Sequence, residues 1–254
     1  MNYTIPQLPD RTQKPRTHGL TMVMDKGLSL REAEDLVQVA AHCIDIVKLG
    51  WSTSYVAAGL TEKLALYRNA GLNVYFGGTL AEVFIARGAF EAYRKLLDDF
   101  QMTHVEVSDG SLEMPRKDKL HYIRTLAKDR VVLSEVGSKD ASKVLTATQW
   151  TQHIRAELDA GSTLVITEAR ESGNVGVYRA TGEVRSGLIE RILQEVPAEK
   201  LLFEAPQKAQ QVYFVKLLGT NVNLGNIATN EVIALETLRL GLRGDTFHTF
   251  LKGE

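Results

Sequence analysis

Eight times along this chain a short apolar stretch gives way to an amphipathic helical stretch, and that alternation constrains the fold more than any other feature. The apolar stretches close on polar residues beside glycine: MDKG at 24–27, VKLG at 47–50, YFGGT at 75–79, VEVSDGS at 105–111, LSEVG at 133–137, ITEARESG at 166–173, FEAPQK at 203–208 and VNLGN at 222–226. Strands that alternate with helices in this way build parallel sheets through crossover connections. Eight such units close into one (β/α)8 TIM barrel, which needs about 250 residues; this chain has 254, of which 44% are hydrophobic. The expected class is therefore α/β, with an N-terminal arm over residues 1–18 and a single TIM barrel catalytic domain over 19–254.

The expected strands run Gly19–Asp25, Ile44–Lys48, Asn73–Phe76, Thr103–Val107, Val131–Glu135, Leu164–Glu168, Leu201–Glu204 and Asn221–Leu224. Helical spacing of apolar residues marks the segments between them, the first beginning after a Ser29 cap. Between the sixth strand and its helix lies a long loop, residues 169–183, of a length that often forms a lid. The arm holds three prolines with Arg11, Lys14 and Arg16 and lacks the apolar run of a secretory signal. It is expected to lie over the barrel or a neighbouring subunit, or to be disordered.

With 30 basic and 31 acidic residues the chain has a formal charge of -1, which gives no footprint for nucleic acid or a membrane surface. Cys43 is the only cysteine, and no apolar run approaches the length of a membrane span. A cytoplasmic enzyme acting on small molecules, self-associated as a homo-oligomer, fits these features.

In a barrel of parallel strands all eight carboxyl ends meet on one rim, so polar residues distant in sequence converge there. Asp25, Glu106, Asp109, Glu135, Glu168, Glu171 and Glu204 fall at or just after strand ends, together with Lys26, Lys48, Lys139 and Arg170. Val105 and Val107 must face the helices, so alternation turns Glu106 and Ser108 into the barrel mouth. Buried carboxylates need basic partners or a cation, and a set without imidazole or thiolate suits Mg2+. Structural salt bridges around the barrel top are the competing reading for any one of these charges. Two places where a strand hands over to a helix, 205–207 and Gly225–Asn226, are expected to hold phosphate on free amides.

At these motifs the chain resembles the phosphosulfolactate synthase family, which includes archaeal enzymes of coenzyme M biosynthesis, bacterial relatives and a plant heat-stress-associated protein. The resemblance covers Gly19 to Phe247. It is carried by Asp25-Lys26-Gly27, KLGWSTS at 48–54, Gly77-Gly78-Thr79-Leu80, VSDGS at 107–111, Arg170-Glu171-Ser172-Gly173, FEAPQKAQQ at 203–211, and the segment from Asn221 to Phe247.

The resemblance implies addition of sulfite to C3 of phosphoenolpyruvate with Mg2+, giving (2R)-phospho-3-sulfolactate without a redox cofactor. It implies Lys139 as the acid that protonates C2, with Lys48 in reserve. Glu106, Glu135 and Glu168 are assigned to Mg2+, with Asp25 and Asp109 behind them. Arg170, Lys26 and Lys48 would meet substrate anions, and Ser108, Gln207, Asn223, Gly225 and Asn226 would complete substrate binding. Three positions depart from the family pattern: Ser52 and Ala169 stand where glycine is usual, and Phe76 stands where proline is usual. Phe76 is expected to reshape the pocket, which leaves another nucleophile or enoyl acid as an alternative. Two further alternatives are a Schiff-base lysine at Lys48 or Lys139 and a non-catalytic, stress-related interaction protein.

Overall fold

A computed structural model describes residues 2–138 and 145–251. Its strands are β1 Thr21–Asp25, β2 Ile46–Leu49, β3 Asn73–Phe76, β4 His104–Val107, β5 Val131–Val136, β6 Leu164–Thr167, β7 Leu201–Glu204 and β8 Leu224–Ala228, with helices between successive strands. They pair in parallel in the order β3-β2-β1-β8-β7-β6-β5-β4. This is the expected single barrel. At its remaining seam, between β3 and β4, the Tyr75 hydroxyl donates to Glu106 Oε2 over 2.8 Å.

Strand alternation divides the core in two. Met22, Ile46, Tyr75, Leu133, Ile166 and Leu202 pack together inside the barrel. Their neighbours Val23, Val47, Val74, Val105, Val132 and Phe203 join the larger core beneath the helices. The same parity sends Lys48, Glu106, Glu135, Glu168 and Glu204 inward, one level above the apolar plug. It sends Phe76 outward, where its ring meets Phe100 edge-on at 5.7 Å. The expected reshaping of the pocket by Phe76 is thereby corrected: the ring packs against helices, away from the barrel mouth.

The N-terminal arm closes the opposite end. Arg16 pairs with Asp45 at 3.1 Å, Lys14 donates to the carbonyls of Ala41 and Ile44, and Arg11 pairs with Glu236 at 3.0 Å. Beneath it the fully buried Arg239 donates to the carbonyls of Thr220, Val222 and Leu20 at 2.8, 2.7 and 3.1 Å. Among the described residues no helix is long and apolar enough to cross a membrane.

β8 begins three residues later than the sequence pattern predicts, and this moves two candidate site residues. Asn223 lies just before the strand, accepting from Leu20 N–H at 3.0 Å and donating to the Leu201 carbonyl at 3.0 Å. These partners stand where β1 and β7 begin, so Asn223 ties strands at the end remote from the rim. Gly225 faces the apolar plug: a Cβ there would sit 2.2 Å from Leu202 Cδ2 and 2.7 Å from Met22 Cε. Gly225–Asn226 lie within β8, and the following helix, Val232–Arg239, starts only after a short turn at Thr229–Glu231. No helix N-terminus stands at Gly225 to hold phosphate.

The segment 169–185 forms a wall. Tyr178 O–H donates to the Glu204 carbonyl, Gln210 Nε2 donates to the carbonyls of Gly173 and Gly182, and Arg185 donates to that of Gly176. Val177 and Tyr178 are buried in the core, so the expected lid is packed down along this stretch.

The backbone at Ser52 suits the glycine expected there from the family resemblance. Trp51 and Ser52 are both left-handed, with φ of 51° and 59°, a conformation that costs an L-residue roughly 1 kcal/mol. Ser52→Gly is expected to raise stability by about 0.5–1 kcal/mol, read as a higher urea midpoint at unchanged slope.

Candidate active site

On the rim side of the plug lies a cavity of about 390 Å³, lined by Lys48, Trp51, Glu135, Glu168, Arg170 and Glu204, with Asn226 on its β8 side. Lys48, only 6% exposed, forms part of its floor. Its Nζ lies 2.9 Å from Glu106 Oε2 and 3.6 Å from both Glu135 Oε2 and Glu204 Oε1. Burial alone would lower the Lys48 pKa, but Glu106, Glu135 and Glu204 outweigh it and hold the ammonium well above its usual range. A lysine so held is charged at neutral pH, which disfavours the Schiff-base reading for Lys48.

The carboxylates around it are not equivalent. Glu106 also accepts from Tyr75 O–H and from Gly78 N–H at 2.8 Å each. Gly78 must be glycine, because a Cβ there would lie 2.6 Å from Glu106 Oε1 and 2.2 Å from Ser108 Oγ. Glu204 Oε2 accepts from Ala169 N–H at 3.0 Å. Burial, with Glu135 and Glu106 adding, raises Glu204 to about 7 against the opposing pull of Lys48 and that N–H. A carboxyl group raised on folding stabilises the protein at acid pH, and this contribution is lost as pH rises from the unfolded value through about 7. The unfolding free energy of wild type is expected to fall between pH 5 and 8 relative to Glu204→Gln, whose profile is flatter; urea titrations across that range read the difference.

The other candidates separate into cavity and scaffold. Arg170 and Asn226 line the cavity, and Lys26 stands at its edge, paired with Glu171 and 5.4 Å above the Trp51 ring. Asp25 is spent: its carboxylate accepts from Gly27 and Leu28 N–H, Tyr67 O–H and Lys63, each at 2.8–2.9 Å. Asp109 pairs with the fully buried Lys119 at 2.6 Å, and the same ammonium donates to the Glu135 carbonyl at 2.5 Å. Ser108 donates to Glu82, which also accepts from the N–H groups of Ser111 and Leu112. Gln207 caps the helix Lys208–Leu218 together with Gln210 and donates to the Ser172 carbonyl. The amides expected to hold phosphate there are capped from within the chain. Lys139 lies outside the described residues.

Sequence reasoning missed Tyr75, Glu82, Lys63 and Lys119. A signal existed for Glu82 and Lys119: each is a charged residue on the apolar face of its helix, GTLAEVFI and RKDKLHYIRTL. A charge in such a place needs a buried partner.

Among the described residues no three His, Cys, Asp or Glu side chains stand together as a ligand set. The reason is visible in the geometry: the Lys48 ammonium occupies the space between Glu106, Glu135 and Glu204. Glu106 is therefore reassigned from the metal to the lysine. Glu135 on β5 and Glu168, the residue that follows β6, both line the cavity. Two carboxylates fit Mg2+, which binds through one or two of them and fills its remaining positions with water and substrate oxygens.

The family model for (2R)-phospho-3-sulfolactate synthase (ComA) matches residues 9–245. The chain belongs to the phosphosulfolactate synthase family. It is 40% identical over 244 residues to the phosphosulfolactate synthase of Bacillus subtilis, covering 95% of this chain and 97% of that one. With the enzyme of Methanocaldococcus jannaschii the identity is 43% over 236 residues, covering 90% and 94%. Protein HEAT-STRESS-ASSOCIATED 32 of Arabidopsis thaliana is 23% identical over 259 residues, covering 91% and 88%. Among solved structures, 3-hexulose-6-phosphate synthase from Salmonella typhimurium shares the barrel with a TM-score of 0.57 at 15% identity, covering 88% of this chain and 100% of that one. The phosphosulfolactate synthase relatives make this chain a lyase that forms a carbon–sulfur bond, and the cavity above Lys48 is where a barrel places such chemistry.

Proposed function

We propose that the enzyme adds sulfite to C3 of phosphoenolpyruvate, giving (2R)-phospho-3-sulfolactate, with Mg2+ held by Glu135 and Glu168. The observation that carries this reading is the fixed ammonium of Lys48 on the floor of a cavity whose rim bears Arg170 and Lys26, in a chain of this family.

The sulfur lone pair forms the new bond to C3 while the C2–C3 π electrons move into the substrate carboxylate, which then carries two negative charges. A proton delivered to C2 returns those electrons and completes an addition with no net oxidation. Bound Mg2+ supplies a Lewis acid for the growing charge on the carboxylate. Lys48 stabilises that same charge: its ammonium is already fixed by Glu106, so no reorganisation is needed as charge develops. Arg170 and Lys26 hold the phosphate and the sulfite. Proton delivery to C2 is assigned to Lys139 on its match to the family's loop lysine, with Lys48 in reserve.

Loss of the enol absorbance of phosphoenolpyruvate tests the reading. It should require protein, sulfite and Mg2+ together, stop on chelation and return with added Mg2+. Glu168→Gln is expected to raise the Mg2+ concentration for half-maximal rate by about tenfold or more. Phosphoenolpyruvate loss that ignores sulfite would refute the proposed nucleophile.

A further inference from the structure

We propose that Asn226 is a ligand-binding residue whose Oδ1 accepts a hydrogen bond from an O–H group in the cavity, carried either by water on a divalent cation or by protonated sulfite. This rests on reading the cavity as the reaction site.

Three independent features converge on this side chain. The first is a β-bulge. Thr21 on β1 pairs with Leu224 on β8, and Val23 pairs with Ile227, so two steps on β1 are matched by three on β8. Bulges of this kind re-aim a side chain and recur beside active sites. Leu224 and Ile227 both face the outer core, and the extra residue lets Asn226 face the cavity between them in sequence.

The second is the backbone. Asn226 has φ of 56°, a conformation glycine would adopt without cost. An asparagine retained for the bend alone gives nothing that glycine would not.

The third is the orphaned acceptor. Asn226 is only 4% exposed, and its Oδ1 is buried with no hydrogen-bond partner among the described residues. Its Nδ2 donates to the Arg170 carbonyl at 3.2 Å. A carbonyl only accepts, so this contact fixes which end of the amide carries nitrogen and leaves the oxygen for the cavity. An unpaired buried acceptor costs roughly 1–3 kcal/mol, a cost that a bound donor removes.

The polarity of that atom decides the ligand chemistry. Phosphate was expected beside Asn226, but a phosphate, carboxylate or sulfite dianion presents acceptors, and two acceptors face to face repel. An oxygen atom that meets Oδ1 must carry a proton. Water polarised by a divalent cation is such a donor, and a neutral amide oxygen is also a hard atom suited to the hydrated-cation environment of Glu135 and Glu168. Protonated sulfite is the other source of the same O–H group.

Asn226→Gly tests this without disturbing the bend, because glycine tolerates the left-handed position. Mn2+ alone, followed by electron paramagnetic resonance, and sulfite alone, followed by calorimetry, are titrated into wild type and variant. Asn226→Gly is expected to weaken one of the two by about tenfold while its thermal midpoint stays level or rises. Loss confined to Mn2+ identifies cation-bound water, and loss confined to sulfite identifies the nucleophile. If water on the cation is the donor, Asn226→Asp, which keeps an acceptor there, restores Mn2+ binding. Wild-type affinity for both probes in Asn226→Gly would overturn the assignment. That outcome is separate from failure of the proposed reaction, in which wild type itself would leave phosphoenolpyruvate and sulfite unchanged.

Discussion

Lys48→Met is expected to lower kcat/KM by about a thousandfold or more. Methionine fills nearly the same volume, so the barrel interior keeps its shape while the ammonium is lost. Glu106, Glu135 and Glu204 are then left around a thioether, and the charge developing on the substrate faces them without the fixed ammonium between. Breaking a buried ion pair from one side costs about 3–5 kcal/mol, so stability should fall as well. The two effects separate by pH. The stranded carboxylates take up protons in acid, so the stability loss should be smaller at pH 5.5 than at pH 8, whereas the activity should not return. Steady-state kinetics and urea unfolding at both pH values read this. A variant that retains kcat/KM within tenfold would reduce Lys48 to a structural ion.

Arg239→Met is expected to be the most destabilising change remote from the cavity, at about 3 kcal/mol. The guanidinium is fully buried and holds the carbonyls of Leu20, Thr220 and Val222, which precede β1 and β8. Methionine satisfies none of these acceptors, and water has no access to replace the donors. Since every contact lies at the closed end, kcat per folded molecule should stay at the wild-type value at low temperature. A fall in kcat without a fall in the urea midpoint would contradict this division between a stabilising end and a reacting end.

The barrel was legible because its two periodicities are clean. Val105-Glu106-Val107 has one parity available once the helices are known to cover the sheet, and the structure places both valines in the outer core and Glu106 within. β8 was misread because LGNIA contains glycine and a left-handed asparagine, residues that weaken a strand pattern, while the preceding Val222 invited an early start. A bulge is a property of pairing between two strands, so a single-strand pattern does not reveal it. That error carried Asn223 and Gly225 into the predicted site.

The carboxylates were legible as a rim set but not as individuals. Asp25, Asp109 and Glu106 sit at similar strand-end positions in the sequence, yet Asp25 is spent on Lys63 and Tyr67, Asp109 on Lys119, and Glu106 on Lys48 and Tyr75. Their partners come from other strands and from helices whose rotation about their own axes sets which side chain reaches inward. Spacing along one strand does not contain that information. Ser52 was visible only as a departure from a family glycine; the left-handed backbone supplies the reason.

The product decides the proposed reaction. Mass spectrometry of purified protein incubated with phosphoenolpyruvate, sulfite and Mg2+ tests it most directly, with a chelator control and Lys48→Met run alongside. The expected result is a single product heavier than phosphoenolpyruvate by the elements of sulfurous acid, still bearing its phosphate, absent with chelator and scarcely formed by Lys48→Met. Release of inorganic phosphate without a sulfonate, or a sulfonate formed equally by Lys48→Met, would contradict the account.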